Sequence, residues 1–129
     1  MRYPNLKDCT ILVVEDEPLI ALDISLAFET SGTHITTTNT VKHARLLVEH
    51  DGLSAVMLDH ALPDGDSTIL CQRLIQLGIP FLMYSGFATL DGPCKNSPHL
   101  KKPASHEQIL DAMESLIRDS KAPNNNQAA

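Results

Sequence analysis

Short apolar runs alternate along this chain with longer segments whose apolar residues recur at helical spacing. A continuous run of about four to eight apolar and β-branched residues is typical of a strand buried on both faces of a parallel sheet. The pattern predicts five strands, at 10–14, 34–38, 54–58, 80–84 and 99–101. The second is the weakest, because threonines supply most of it. The fifth carries lysine, which suits an edge strand.

Four segments between or after these strands have apolar residues at helical spacing. Pro18 stands where a first helical turn would begin, a position that tolerates its missing N–H, and Ser31-Gly32 would close that helix. The second helix ends before Gly52, and the third stops at Gly78. The apolar helical positions are Leu19, Leu22, Leu26 and Ala27, then Val41, Ala44, Leu47 and Val48, then Ile69, Leu70, Leu74 and Leu77, and last Ile109, Ala112, Met113, Leu116 and Ile117.

The connection between the fourth and fifth strands is irregular. Its stretch 86–98 is rich in Pro and Gly, so at most a short helix fits near 87–90. Ser105 and Gln108 form a capping box that opens the final helix. The residues after that helix have nothing to bury, which predicts a disordered tail.

Strands that alternate with helical crossovers predict an α/β doubly wound parallel sheet with helices on both faces. A chain of 129 residues is long enough for one such domain and too short for two. We therefore predict a lead-in at 1–9, one domain at 10–120 and a disordered tail at 121–129.

The charge and the hydropathy pattern exclude several partners. A net charge of −6 argues against nucleic acid or an anionic membrane, because both attract Lys and Arg. An acidic surface suits a basic protein partner, and it also keeps a protein soluble. No apolar run reaches the ~20 residues that cross a bilayer. Residues 1–9 lack the apolar core of a signal peptide, so we predict a cytoplasmic protein.

The cysteines also predict a cytoplasmic protein. Cys9, Cys71 and Cys94 are widely spaced and odd in number, with neither a CxxC pair nor a spacing typical of zinc. We predict that all three are reduced thiols.

Residues that can do chemistry follow four of the predicted strands. Glu15 and Asp16 follow the first, Asp59 the third, Ser85 the fourth and Lys102 the fifth. Function in a doubly wound sheet gathers at these carboxyl ends. Crowded carboxylates repel unless a cation neutralises them, and oxygen ligands of this kind suit Mg²⁺. Because an aspartyl oxygen is a nucleophile in phosphoryl transfer, the pattern predicts a phosphoacceptor.

Four motifs, in this order and separation, resemble the response-regulator receiver family of two-component signalling. They are Val13-Val14-Glu15-Asp16-Glu17-Pro18, Leu58-Asp59 with Leu62-Pro63-Asp64-Gly65, Tyr84-Ser85-Gly86, and Lys102-Pro103. The resemblance extends from residue 10 to about residue 118. It implies a flavodoxin-like, chemotaxis-regulator-like fold with strand order 2-1-3-4-5. The Pro- and Gly-rich stretch predicts that the fourth helix of that fold is short or irregular in this chain.

The resemblance also implies a role for each site residue. Asp59 would accept a phosphoryl group from a phosphohistidine on a sensor histidine kinase or phosphotransfer protein. Asp16 and Asp59 would bind Mg²⁺ directly, together with the backbone carbonyl of Ala61. Glu15 would bind the ion through a water, and Lys102 would pair with the phosphoryl group.

The switch residues are implied in the same way. Ser85 would rotate inward to hydrogen-bond a phosphoryl oxygen, and the peptide bond between Lys102 and Pro103 would be cis. His99 stands in the fifth strand where the family usually has Tyr or Phe. It would either move with Ser85, with a charge that titrates near neutral pH, or lie as a partly exposed polar residue on an edge strand.

Other positions depart from the family pattern. Ala61 and Phe87 replace polar side chains that orient the attacking water, so we predict slow loss of phosphate from Asp59. The short fourth crossover changes the surface that usually carries dimerisation and output contacts, which leaves homodimerisation open. Residues 83–87 are also similar to the Phe-Ala-Thr-Gly-Tyr motif of an alphaproteobacterial subgroup, many of whose members are stand-alone receivers.

These observations predict a single-domain response regulator rather than an enzyme. It would catalyse only its own phosphorylation and slow hydrolysis, and it would switch binding of a downstream protein or serve as a relay or phosphate sink. One alternative is a pseudo-receiver, an interaction module that is never phosphorylated, against which the complete set of site residues argues. Another is an aspartate-dependent phosphohydrolase, which would need a second aspartate where Ala61 stands.

Overall fold

The computed structural model describes residues 2–86 and 92–121, and within them lies a five-stranded sheet. Its strands are β1 (Thr10–Val14), β2 (His34–Thr38), β3 (Ala55–Leu58), β4 (Phe81–Ser85) and β5 (His99–Lys101). All neighbours are parallel, in the order β2-β1-β3-β4-β5. The predicted flavodoxin-like topology is therefore confirmed.

In the described part of the chain, four α-helices cover the two faces of the sheet. They are α1 (Pro18–Ala27), α2 (Val41–Leu47), α3 (Thr68–Leu77) and α4 (His106–Lys121). Because side chains alternate along a strand, Ile11 and Val13 of β1 join the core beneath α1 and α4. Leu12 and Val14 join the core beneath α2 and α3. The sheet is thus buried on both faces, as its apolar strands require.

Helix α1 buries a different stripe from the one that its leucines suggest. Leu19, Leu22 and Leu26 keep 74%, 55% and 47% of their surfaces exposed, whereas Ile24 and Ala27 are buried. The helix is apolar nearly all round, so helical spacing identified it without deciding which stripe faces the sheet. The three leucines form an apolar stripe open to solvent.

Two further details of the helices differ from the prediction. Helix α1 stops before 31–32, because the backbone bonds that follow it have the tighter i→i−3 spacing. In α3, Leu70 and Leu74 are buried as predicted, but Ile69 is 46% exposed and Leu77 is 37% exposed. Both helices form where they were predicted, with narrower buried stripes.

The prediction of reduced thiols is wrong for two of the three cysteines. Cys71 of α3 and Cys94 form a disulfide, and both are completely buried. Cys94 lies in a short 3₁₀ helix, Gly92–Cys94, in the connection between β4 and β5. No spacing rule indicates this pair, because its geometry depends on how the connection folds onto α3. Cys9 is a buried free thiol. Because two of the three cysteines are paired, the cysteines no longer support the prediction of a cytoplasmic location.

The residues before β1 pack against the last helix. Leu6 is fully buried, and Tyr3 packs against the same core. Side-chain hydrogen bonds join this segment to α4, from Arg2 to Glu107 at 2.6 Å, from Tyr3 to Asp111 at 2.9 Å and from Asn5 to Glu114 at 2.7 Å. The three acceptors are three or four positions apart, so the segment runs along one side of α4.

Both ends of α4 were anticipated in part. The capping box is confirmed, because Gln108 Oε1 accepts from the amide of Ser105 at 2.8 Å and Ser105 Oγ accepts from the amide of Gln108 at 3.1 Å. Lys121 is the last residue of the helix. The rest of the predicted tail, 122–129, and the short helix predicted at 87–90 lie outside the described residues. Within the described residues, no helix is long and apolar enough to span a membrane.

Candidate functional site

The predicted site residues meet at the carboxyl ends of the strands. Backbone pairing continues just past the strands and keeps their ends level. The amide of Asp59 donates to the carbonyl of Val14, and that of Lys102 donates to the carbonyl of Ser85, each at 3.0 Å. The sheet register therefore gathers residues that are far apart in the chain onto one edge.

Carboxylates form the centre of the site. Among the described residues, Glu15, Asp16 and Asp59 each offer an oxygen within 4.8 Å of the other two. Glu15 and Asp59 expose only 4% and 9% of their surfaces, whereas Asp16 is exposed. Like charges this close repel strongly where water is largely excluded. The cluster therefore requires a positive charge.

Lys102, directly after the last strand, supplies a positive charge. Its Nζ lies 2.6 Å from Glu15 Oε1, 3.4 Å from Asp59 Oδ2 and 5.5 Å from the centre of the Tyr84 ring. Burial disfavours the ammonium, but the carboxylates outweigh burial and raise the pKa of Lys102. Burial also raises the pKa of Glu15, although Lys102 and the amide of Glu17 oppose it. Lys102 therefore stays charged and binds Glu15 more closely than Asp59.

Strand β4 contributes a hydroxyl and supports the turn after the lysine. Ser85, its last residue, is completely buried. The peptide bond between Lys102 and Pro103 is cis. Tyr84 Oη accepts a hydrogen bond from the amide of Ala104 at 3.0 Å. Tyr84 thus holds the turn after Lys102, a role that its place in an apolar strand does not indicate.

The backbone after Asp59 is held by Ser67, which was not a candidate. Ser67 is completely buried, and its hydroxyl donates to the carbonyl of Asp59 and, at 3.1 Å, to that of His60. A serine directly before a helix is ordinarily read as an N-cap. Here the hydroxyl bonds to the loop rather than capping α3. It therefore fixes the main chain that presents Asp59.

A second contact ties this loop to helix α2. Asp64 accepts from the amides of Val41 and Lys42 at 2.8 and 2.9 Å. The bonds from Lys42 and Val41 hold the pKa of Asp64 below its usual value. Thr40 caps the same helix by accepting from the amide of His43. The loop after Asp59 and the start of α2 therefore form one hydrogen-bonded unit.

His99 lies on the edge of the sheet and is exposed. The register of β4 and β5 pairs it with Met83, whereas Ser85 is paired with Lys101. His99 is thus two positions away from Ser85 along the strand register.

Of the two positions expected to slow dephosphorylation, only Ala61 lies within the described residues. Ala61 follows Asp59 by two residues and pairs with Asp66 in a two-residue antiparallel ladder. Phe87 lies outside the described residues.

The donor set fits Mg²⁺. The ion prefers oxygen ligands and takes one or two carboxylates together with waters. Asp16 and Asp59 offer carboxylates that are not held by the close contact to Lys102, whereas Glu15 is engaged by that contact. A carboxylate cluster with one member already neutralised is consistent with a site for Mg²⁺.

Comparisons with solved structures place this geometry in a known fold. The chain is similar to a response regulator receiver domain protein (CheY-like) from Methanospirillum hungatei JF-1. The TM-score is 0.80 at 20% identity, over 89% of this chain and 98% of that one. It is also similar to SdrG from Sphingomonas melonis Fr1, with a TM-score of 0.74 at 32% identity, over 85% of this chain and 97% of that one. No family model matches the chain.

Similarity to curated proteins covers only part of their length. The chain is 30% identical over 122 residues to the transcriptional regulatory protein TcrA of Mycobacterium tuberculosis, covering 88% of this chain and 47% of TcrA. The chain spans about half the length of the curated relatives it matches.

Proposed function

We propose that this chain, which belongs to the response-regulator receiver family, accepts a phosphoryl group on Asp59. The observation that carries the proposal is the Lys102 ammonium, 3.4 Å from the Asp59 carboxylate and 2.6 Å from that of Glu15. A charge fixed in this way stabilises a phosphoryl group as it transfers, with little reorganisation. An acidic turn with only a structural role would not need a lysine brought from the far edge of the sheet.

The donor in this proposal is a phosphohistidine on a sensor histidine kinase or phosphotransfer protein. An oxygen of Asp59 attacks phosphorus and forms a P–O bond, while the P–N bond breaks and its electron pair stays with the imidazole nitrogen. Lys102 pairs with the phosphoryl oxygens, and the Ser85 hydroxyl donates to one of them. Attack of water on phosphorus later releases phosphate and restores the carboxylate. The chain is therefore a phosphoacceptor with slow self-hydrolysis, not an enzyme acting on other substrates.

We infer that phosphorylation depends on Mg²⁺. Asp16, Asp59 and the carbonyl of Ala61 would hold the ion, with Glu15 acting through a water. The bound ion neutralises carboxylate charge and stabilises charge on the phosphoryl oxygens. Support comes from the spacing of the carboxylates and from Lys102, which lies closer to Glu15 than to Asp59.

The exposed leucine stripe of α1 is where we propose that the phosphodonor docks. Leu22 lines one surface cavity together with Glu15 and Asp16. Exposed apolar patches beside a polar site commonly mark protein contacts. The stripe of Leu19, Leu22 and Leu26 would bring the partner's phosphohistidine to the open side of the carboxylate cluster.

Phosphorylation would switch binding of a downstream protein, or pass phosphate onward as in a relay or sink. The transcriptional regulator TcrA matches this chain over about half its own length, so we attribute no DNA binding to these residues. We place these events in the cytoplasm, where kinases present their phosphohistidines. Membership of the alphaproteobacterial subgroup, homodimerisation and a switching role for His99 stay predictions.

The test is phosphorylation of purified protein by acetyl phosphate and by phosphorylated kinases in the presence of Mg²⁺, followed by intact mass spectrometry. We expect one phosphoryl adduct, which Asp59→Asn abolishes. Asp51→Asn, which changes an exposed carboxylate in a turn, should leave the adduct unchanged. An adduct that persists in Asp59→Asn would overturn the assignment. No adduct from any donor would favour the pseudo-receiver.

A further inference from the structure

We propose that Cys71 and Cys94 form a reversible redox site whose oxidation slows phosphorylation of Asp59. The pairing of the sulfurs stands on its own geometry. The effect on phosphorylation rests on the function proposed above.

The disulfide ties the connection between β4 and β5 to helix α3. Cys71 lies on the buried side of α3, and its sulfur is 3.8 Å from the sulfur of Met83 in β4. Cys94 lies in the connection that follows β4 and is completely buried. The bond therefore fixes the connection beneath the strand that ends in Ser85.

The hydrogen bonds of this turn are mostly internal. The amide of Lys95 donates to Gly92, and Ser97 donates to the carbonyl of Cys94 through its amide and its hydroxyl, at 3.4 and 2.9 Å. The turn rejoins the sheet where the amide of Met83 donates to the carbonyl of Pro98. The disulfide ties this turn covalently to α3, against which the turn also packs. Breaking it would widen the range of conformations open to the turn.

The connection begins at the phosphorylation site and is linked to it again through β5. Ser85 immediately precedes it, and Lys102 immediately follows the strand to which it leads. The two are joined directly, because the amide of Lys102 donates to the carbonyl of Ser85. Adjustment of Ser85 and Lys102 around a phosphoryl group must therefore be accommodated partly by the connection. An oxidised pair restricts that adjustment, so we expect the oxidised protein to accept phosphate more slowly.

The redox step is balanced with hydrogen peroxide as oxidant. One thiolate attacks a peroxide oxygen, the O–O bond breaks, and a sulfenic acid and hydroxide form. The second thiolate then attacks that sulfur and displaces its hydroxyl group as hydroxide. The thiol protons convert both hydroxides to water, so two thiols and one peroxide give one disulfide and two waters. A small dithiol reverses the change by taking up the disulfide bond itself.

Burial allows the two states to be prepared separately. Both sulfurs are shielded from solvent, so oxidation or reduction requires transient opening of the turn. Exchange is therefore slow once reagent is removed, and each state can be isolated before phosphorylation is measured.

The first measurement is the number of cysteines alkylated under denaturing conditions. The chain has three cysteines. Dithiothreitol-treated protein should take three alkyl groups, and peroxide-treated protein should take one, on Cys9. Cys9→Ser should reduce the counts to two and none. Three alkyl groups after peroxide treatment would overturn the redox site.

The second measurement is the rate of phosphorylation by acetyl phosphate with Mg²⁺, in the oxidised and reduced wild-type protein. We expect the reduced protein to be faster by about fivefold or more, the lower end of ordinary coupling between two sites. Cys9→Ser should show the same ratio. Cys94→Ser and Cys71→Ala should each be phosphorylated at the same rate after either treatment.

The outcomes separate the two proposals. Equal rates in oxidised and reduced wild-type protein would overturn the coupling while leaving Asp59 as the acceptor. Absence of phosphorylation in both states, with correct alkylation counts, would overturn the proposed function but not the redox site. Because the comparison is made within the wild-type protein, it holds even if a cysteine variant fails to fold.

Discussion

At the scale of single residues, the site is defined by how one lysine is shared among carboxylates. Lys102 is 2.6 Å from Glu15 but 3.4 Å from Asp59, so most of its neutralising effect falls on the buried glutamate. Asp59 and the exposed Asp16 keep negative charge that a divalent ion can compensate. This arrangement supports the proposal that Mg²⁺ binds beside Asp16 and Asp59.

Removing one of these carboxylates should weaken the effect of Mg²⁺ on stability. At a concentration of Mg²⁺ a hundredfold above Kd, binding should raise the free energy of unfolding of the wild type by about 2.7 kcal/mol. Asp59→Asn should gain only about 1.4 kcal/mol at that concentration if its Kd rises about tenfold. Urea denaturation with and without MgCl₂ measures both gains, with Asp51→Asn as control. Equal gains would show that Asp59 is not a ligand.

The contact of Asp64 with α2 gives a pH-dependent prediction. Two backbone amides lower the pKa of Asp64 in the folded state, so its contribution to stability is present above the ordinary value of 3.8. That contribution is lost as the pH falls through the lowered folded pKa. Asp64→Asn should therefore be less stable than the wild type at pH 7, and the difference should shrink in acid. Urea denaturation at pH 7 and in acid measures the difference, with the exposed Asp119→Asn as control. A difference in stability that is independent of pH would contradict the prediction.

At the scale of elements, helix α1 places the proposed partner surface beside the carboxylate cluster. It begins at Pro18, two residues after Asp16, and its exposed leucines lie along the same helix. Partner contacts on this stripe can therefore change without changing the carboxylate cluster.

A charge on the stripe should impair transfer from a protein donor alone. We expect Leu22→Asp to lower phosphotransfer from a phosphorylated kinase about tenfold, which corresponds to about 1.4 kcal/mol of binding. Labelling by acetyl phosphate should be unchanged. Leu46→Asp, on the 63%-exposed leucine of α2, is the matched control. Loss of both kinds of labelling would mean that Leu22 supports the fold rather than a partner.

The elements also show what the amino-acid pattern can and cannot predict. Buried parallel strands have continuous apolar runs, so β1, β3 and β4 lie at or within one residue of their predicted bounds. The more exposed β2 and β5 also have their predicted bounds. The helical spacing of apolar residues does not show which stripe of α1 is buried, because nearly every side of this helix is apolar. The site residues follow from their places at strand ends. The contact of Asp64 with α2 and the bond between Cys71 and Cys94 depend on how loops fold onto helices, which no local pattern encodes.

At the scale of the whole molecule, the segment before β1 closes one side of the core. Leu6 is fully buried among residues of β1, α1 and α4, and its neighbours bond to α4. The sequence predicted only a lead-in here, because residues 2–9 contain few apolar positions.

Leu6 should therefore matter for stability as much as a residue of the sheet. Leu6→Ala should lower the free energy of unfolding by about 2–5 kcal/mol, as for other buried leucines. Leu19→Ala, at a leucine that is 74% exposed, should change it by less than about 0.5 kcal/mol. Urea denaturation distinguishes the two. Similar small effects would mean that the folded unit begins at β1.

The bonds between this segment and α4 also bear on when the molecule can be completed during synthesis. They join residues 105 to 109 positions apart, so the segment before β1 leaves the ribosome long before the helix to which it binds. Until α4 emerges, Leu6 and the face of the sheet that α4 covers stay exposed on the nascent chain. This side of the protein can therefore close only after α4 has been made.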